Sequence, residues 1–156
     1  MREILFRGKR VDNGEWVNGY FIKANHHWHE HGVHEDWIAV DTIQNGGWCN
    51  VRGKYAVAPE TIGQYTGLTD KNGNKIFEGD IVKFGQNLYQ ITFECGSFAL
   101  LDKQGFIIAK IGGMNDRCYS LMNLYLECCW EDNWAYDIEV IGNIHDNPEL
   151  LKESDN

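Results

Sequence analysis

The densest group of chemistry-bearing side chains is the segment His26-His27-Trp28-His29-Glu30-His31-Gly32-Val33-His34. Side chains alternate along an extended chain, so His27, His29 and His31 would share one face and could offer three imidazoles to zinc, nickel or copper. The same residues suit a polar loop that meets metal only during preparation. The segment is therefore kept as a metal candidate, with no committed metal site, no catalytic residue and no cofactor.

A second group is acidic. Glu60, Asp70, Glu78 and Asp80 could converge on a metal or act as an acid–base pair. Asp70 and Asp80, however, stand next to Gly and Asn in turn-like sequence, where an Asp side chain bonds the amides of its own turn. Their spacing matches no defined cation loop such as the EF-hand. The five cysteines (Cys49, Cys95, Cys118, Cys128, Cys129) are odd in number and form no Cys-x-x-Cys pair, which fits reduced, packed thiols. A nucleophilic cysteine with a distant base stays open.

Phosphate-loop and dinucleotide patterns are absent, as are the Gly-x-Ser-x-Gly elbow and His-Glu-x-x-His. The standard enzyme routes thus lack support. Trp28, Trp37, Trp48, Trp130 and Trp134 would suit a stacking platform for bases, but Lys and Arg do not accompany them in sequence, which favours core and interface roles.

The elements that must carry these residues read as mainly β, antiparallel, with minor α. Strands are expected over residues 4–10 and 16–23, joined by the Asn13-Gly14 turn, a strong hairpin signal. Further strands are expected over 37–43 and 48–58, giving a meander whose histidine segment is a loop or hairpin tip. Dense Gly and Asn punctuation divides 61–80 into short runs, with a tight turn at Asp70-Lys71-Asn72-Gly73. Four β-rich runs between 81 and 111 suggest a small SH3-like curled sheet or barrel.

Cys118, Leu121, Met122, Tyr125, Leu126 and Cys129 recur at helical spacing, so a helix over 117–130 is expected to pack on that sheet. A strand over 136–144 and a short C-terminal helix beginning near Pro148 complete the reading. One domain spans 1–156, divisible into two lobes: an N-terminal meander over 1–58, and a small barrel with helix and C-terminal strand over 59–156.

Three blocks of sequence resemble the YopX family. The first is Phe6-Arg7-Gly8-Lys9 with Gly14-Glu15-Trp16-Val17-Asn18-Gly19-Tyr20. The second runs Pro59-Glu60-Thr61-Ile62-Gly63-Gln64-Tyr65-Thr66-Gly67-Leu68-Thr69-Asp70 and continues through Ile76-Phe77-Glu78-Gly79-Asp80-Ile81-Val82. The third is Glu139-Val140-Ile141-Gly142-Asn143-Ile144-His145-Asp146-Asn147-Pro148-Glu149-Leu150-Leu151. The resemblance implies a mostly β protein of phages and prophages that tends to form homo-oligomers, and it supplies no catalytic residue.

Charge is the last constraint. The net charge is −9 over 156 residues. Residues 127–156 hold nine acidic side chains against Lys152, whereas Arg2, Arg7, Lys9 and Arg10 make the first ten residues basic. An acidic chain repels phosphate backbones, so no direct nucleic-acid partner is expected. No apolar run reaches the roughly 20 residues of a membrane helix and no signal peptide is recognisable, so a cytoplasmic protein is expected. The function expected is a non-enzymatic, oligomeric interaction protein, self-associating or bound to a host protein. The alternatives are an acidic DNA mimic for a host DNA-binding protein, and a metal-binding protein or metalloenzyme built on the histidine segment.

Overall fold

In the computed structural model, which describes residues 3–25, 34–45, 48–94, 96–105, 107–109 and 138–152, the Asn13-Gly14 turn folds β1 (Phe6–Lys9) onto β2 (Trp16–Asn25). Asn13 Oδ1 accepts the Glu15 N–H at 3.0 Å, the side-chain bond that makes Asn a turn former. The register runs from Phe6 opposite Gly19 to Lys9 opposite Trp16. β3 (His34–Asn45) pairs antiparallel with β2 out to Asn25 opposite His34, and β4 (Trp48–Val57) pairs antiparallel with β3. The expected meander is present; β2 and β3 run longer than the sequence suggested, whereas β1 and β4 are shorter.

A pairing without a local signal follows. After the 3-10 turn Pro59–Thr61, β5 (Gly63–Thr69) returns to β1, with Phe6 opposite Gln64 and Arg7 opposite Gly63. Thr61 fixes this return, because its hydroxyl accepts the Lys9 N–H at 2.8 Å and donates to the Ala58 carbonyl at 2.7 Å. The chain forms two compact units, Met1–Tyr65 and Thr66–Asn156, and the boundary falls inside β5.

In the first unit Ile38, Ala39 and Val57 are buried, and the face carrying Ile38 also brings the Phe6 and Phe21 rings to 5.5 Å. Gly19 lies against β3 so closely that a Cβ there would overlap the Ala39 carbonyl oxygen, which is why a residue without a side chain occupies it.

The second unit adds β6 (Lys75–Phe77), beside β5, and a five-stranded antiparallel sheet. Its strands are β7 (Asp80–Phe84), β8 (Asn87–Glu94), β9 (Ser97–Leu101), β10 (Ile107–Ala109) and β11 (Glu139–Asn143), in the order β10-β9-β8-β7-β11. Leu68, Ile76, Val82, Ile91, Phe98, Leu100 and Ile138 form one apolar cluster. Phe98, Ala99 and Leu100 are buried consecutively, so β9 is covered on both faces and reads as a continuous apolar run rather than an alternating one.

Two helical expectations fare differently. The packed helix over 117–130 lies outside the described residues. The C-terminal helix is corrected to a single 3-10 turn, Pro148–Leu151. Pro148 supplies a helix start, but Asn147 makes no side-chain cap and Lys152 is already extended at φ −74°, ψ 133°. One turn without a cap or a long apolar face cannot offset the cost of nucleating an α-helix. The described residues hold two 3-10 turns and no α-helix.

Candidate functional site

The acidic candidates are taken up by turns. Asp70 is 6% exposed, and its carboxylate accepts four hydrogen bonds: Asn72 N at 2.9 Å, Asn74 N at 2.8 Å, Asn74 Nδ2 at 3.1 Å and Val140 N at 3.1 Å. Burial pushes its pKa up, but the bonds from Asn74, Val140 and Asn72 outweigh burial and hold it below the ordinary carboxylate value. Next to it Lys71 Nζ lies 2.6 Å from Glu139, which is held below the usual range chiefly by that contact.

Asp80 is 1% exposed and accepts the Phe77 N–H at 2.7 Å, closing the Glu78-Gly79 turn between β6 and β7. Gly79 adopts φ +82°, donates to Ile91 O at 2.8 Å and accepts from Ile144 N at 2.9 Å, so this turn anchors β8 and the end of β11 together. Glu60 sits exposed in the Pro59–Thr61 turn. Among the described residues no three His, Cys, Asp or Glu side chains are placed to hold a metal. His27, His29 and His31 lie outside the described residues, between the Asn25 and His34 ends of the β2–β3 ladder.

The feature that survives is on the first unit. Alternation places Arg7 and Lys9 of β1 on the same face as Trp16, Asn18, Tyr20 and Ile22 of β2, and the β2–β3 register puts Ile22 opposite Trp37. The Arg7 guanidinium lies 4.7 Å from the Trp16 ring centroid and the Lys9 ammonium 5.6 Å. Lys54 of β4 lies 4.4 Å over Trp37. Tyr20 and Ile22 are 51% and 36% exposed. The expectation that tryptophans lack basic companions is therefore corrected for Trp37: its lysine comes from a strand that is distant in sequence and adjacent in space.

Arg10 is set apart from this group. Its guanidinium lies 4.1 Å over Tyr55, and its Nε donates to Asp12 Oδ1 at 2.9 Å. The basic N-terminal cluster is thus split between the two faces of the sheet, since Arg10 alternates with Lys9.

The family model described as YopX protein matches residues 5–152. The chain belongs to the YopX family. The crystal structure of protein EF1440 from Enterococcus faecalis is similar in fold, with a TM-score of 0.56 at 23% identity over 97% of this chain and 100% of that one. No curated protein matches the chain. The YopX sequence blocks coincide with the tertiary ties just described: Thr61 of the second block holds Lys9 of the first, and Asp70 of the second holds Val140 of the third.

In this YopX chain, Trp16, Tyr20, Ile22 and Lys54 are members of the aromatic face that sequence reasoning did not single out. Trp16 had a usable signal, because the Asn13-Gly14 turn fixes which β1 residues face it. Lys54 had none, since its partner depends on the β3–β4 register, which shifts between Ala39 and Thr42. No helix among the described residues is long and apolar enough to cross a membrane.

Proposed function

We propose that this protein is a non-enzymatic, self-associating interaction module, carried by a phage or prophage and acting in the cytoplasm of the bacterial host. The phage setting follows the family resemblance. The observation that supports the module is the exposed face where Lys54 covers Trp37 and Ile22 and Tyr20 stand open beside it. Tryptophan, tyrosine and basic side chains around an apolar centre are the composition of interface hot spots.

The occupant is a second copy. Residues 1–65 carry seven basic and eight acidic side chains, a net of −1, whereas 66–156 carry seven and fifteen, a net of −8. Lysine and arginine on the aromatic face of one copy thus complement the acidic unit of the next. Such a contact is heterologous and closes into a ring where the rotation permits. Charge would set register and encounter rate, and the aromatic centre most of the affinity. Light scattering after size exclusion tests this. The expected result is an oligomer that Trp37→Ala with Ile22→Ser shifts toward monomer while the β-type circular dichroism is kept. A wild-type mass that stays monomeric across a wide concentration range would sink the reading.

A further inference from the structure

The second unit holds a groove that the self-association reading leaves unused. β8 starts at Asn87, but its ladder with β9 begins only at Gln90 opposite Leu101. Asn87, Leu88 and Tyr89 therefore pair with β7 alone, opposite Phe84, Lys83 and Val82. On their other side the chain leaves β9 in a turn, closed by Gly105 N to Asp102 O at 3.1 Å and Gln104 N to Asp102 Oδ1 at 2.9 Å. The space between the turn and the strand is a cavity of about 360 Å³, lined by Gln86 to Tyr89 on one wall and Asp102 to Gln104 on the other.

We propose that this groove binds a neutral saccharide. The chemistry of its walls selects the class. Asp102 and Lys103 offset each other, so the groove has no net charge to favour phosphate or a cation. Three carboxamides, those of Gln86, Asn87 and Gln104, dominate the rest, and none makes a side-chain hydrogen bond to another described residue. A carboxamide donates and accepts at once, which is also what a sugar hydroxyl requires. Tyr89 packs against the apolar cluster and so holds the strand wall of the groove in place, and Leu88, alternating to the other face, gives the C–H surface of a sugar something to cover. The volume falls within the roughly 300–1,000 Å³ of small-ligand sites. A groove whose carboxamide residues Gln86, Asn87 and Gln104 are exposed to solvent should bind weakly, with Kd on the order of 1 mM.

The test is a 15N–1H correlation titration of the full chain with two probes, cellobiose and N,N′-diacetylchitobiose, the latter adding acetamido groups to the hydroxyls. Saturable shifts confined to the amides of 86–89 and 102–104 are expected with at least one probe. Asn87→Ala and Gln104→Ala should each weaken that binding about fivefold or more at an unchanged melting temperature, while Lys75→Ala on β6 leaves it intact. Three results would overturn the site. One is no shift up to about 20 mM of either probe. The second is binding that both variants retain. The third is the same amides answering to inorganic phosphate or to tetraglycine, which would extend β8 as a strand, rather than to the sugars.

Discussion

The carboxylate of Asp70 accepts the backbone N–H of Val140 at 3.1 Å, across 70 residues of chain. One oxygen organises the turn that follows Asp70, and the other reaches β11. Lys71 N adds a bond to Ile138 O at 3.0 Å, so the turn and the last strand are joined by both backbone and side chain. The site that looked like a candidate acid is a structural bracket.

Asp70→Ala would strand four donors, two of them backbone N–H groups of the turn and one of β11. A loss of about 2–4 kcal/mol is expected from urea unfolding, with Asp70→Asn losing less because its carbonyl oxygen still accepts. A loss under about 0.5 kcal/mol in Asp70→Ala would contradict the bracket.

The same residue gives a pH dependence. Its folded-state pKa lies below the unfolded value of about 3.9, so its contribution is present above that pH and is lost as pH falls through the folded value. The stability gap between wild type and Asp70→Asn should therefore narrow on acidification below about pH 4 and stay constant between about pH 5 and 7. A gap independent of pH down to 2 would show that the charge itself adds nothing.

Gly19→Ala would drive a methyl into the Ala39 carbonyl oxygen, a backbone atom that can move only with β3. Overpacking of this kind costs about 1–3 kcal/mol. Hydrogen exchange should show the Tyr20–Ala39 region opening more readily, and Gly14→Ala, where nothing lies within 4 Å of the added carbon but φ is +72°, separates backbone strain from collision.

Thr66 is buried, donating to Ile76 O at 2.9 Å and accepting from Leu68 N at 3.1 Å. Thr66→Val keeps the volume and removes both bonds. The expected cost is about 1–3 kcal/mol, measured by the urea midpoint at unchanged slope, and Thr66→Ser should recover part of it.

Lys54→Glu reverses the charge over Trp37 without entering the core. If copies meet through this face, the concentration for half-association should rise several-fold in dilute buffer, and the penalty should shrink when salt is raised from about 0.05 to 0.5 M. Sedimentation that is unmoved by the reversal at both salt levels would place the contact elsewhere.

Much of this fold is local and could be read from the chain. Asn13-Gly14, Asp70-Lys71-Asn72-Gly73 and Glu78-Gly79-Asp80 write their turns in residue types, and alternation or apolar runs between them fix β1 to β4 and β7 to β9 within a few residues. The YopX blocks also sit in sequence, because they are the turn residues and their receivers. Tertiary structure alone decided which distant segments meet: Thr61 returning β5 to β1, Asp70 reaching Val140, Lys54 covering Trp37 and β8 outrunning β9 to leave a groove. Each of these depends on strand register or on closing a long loop. A one-residue slip in register reverses every face, and local propensity does not encode it, so that information is carried by packing across the whole unit.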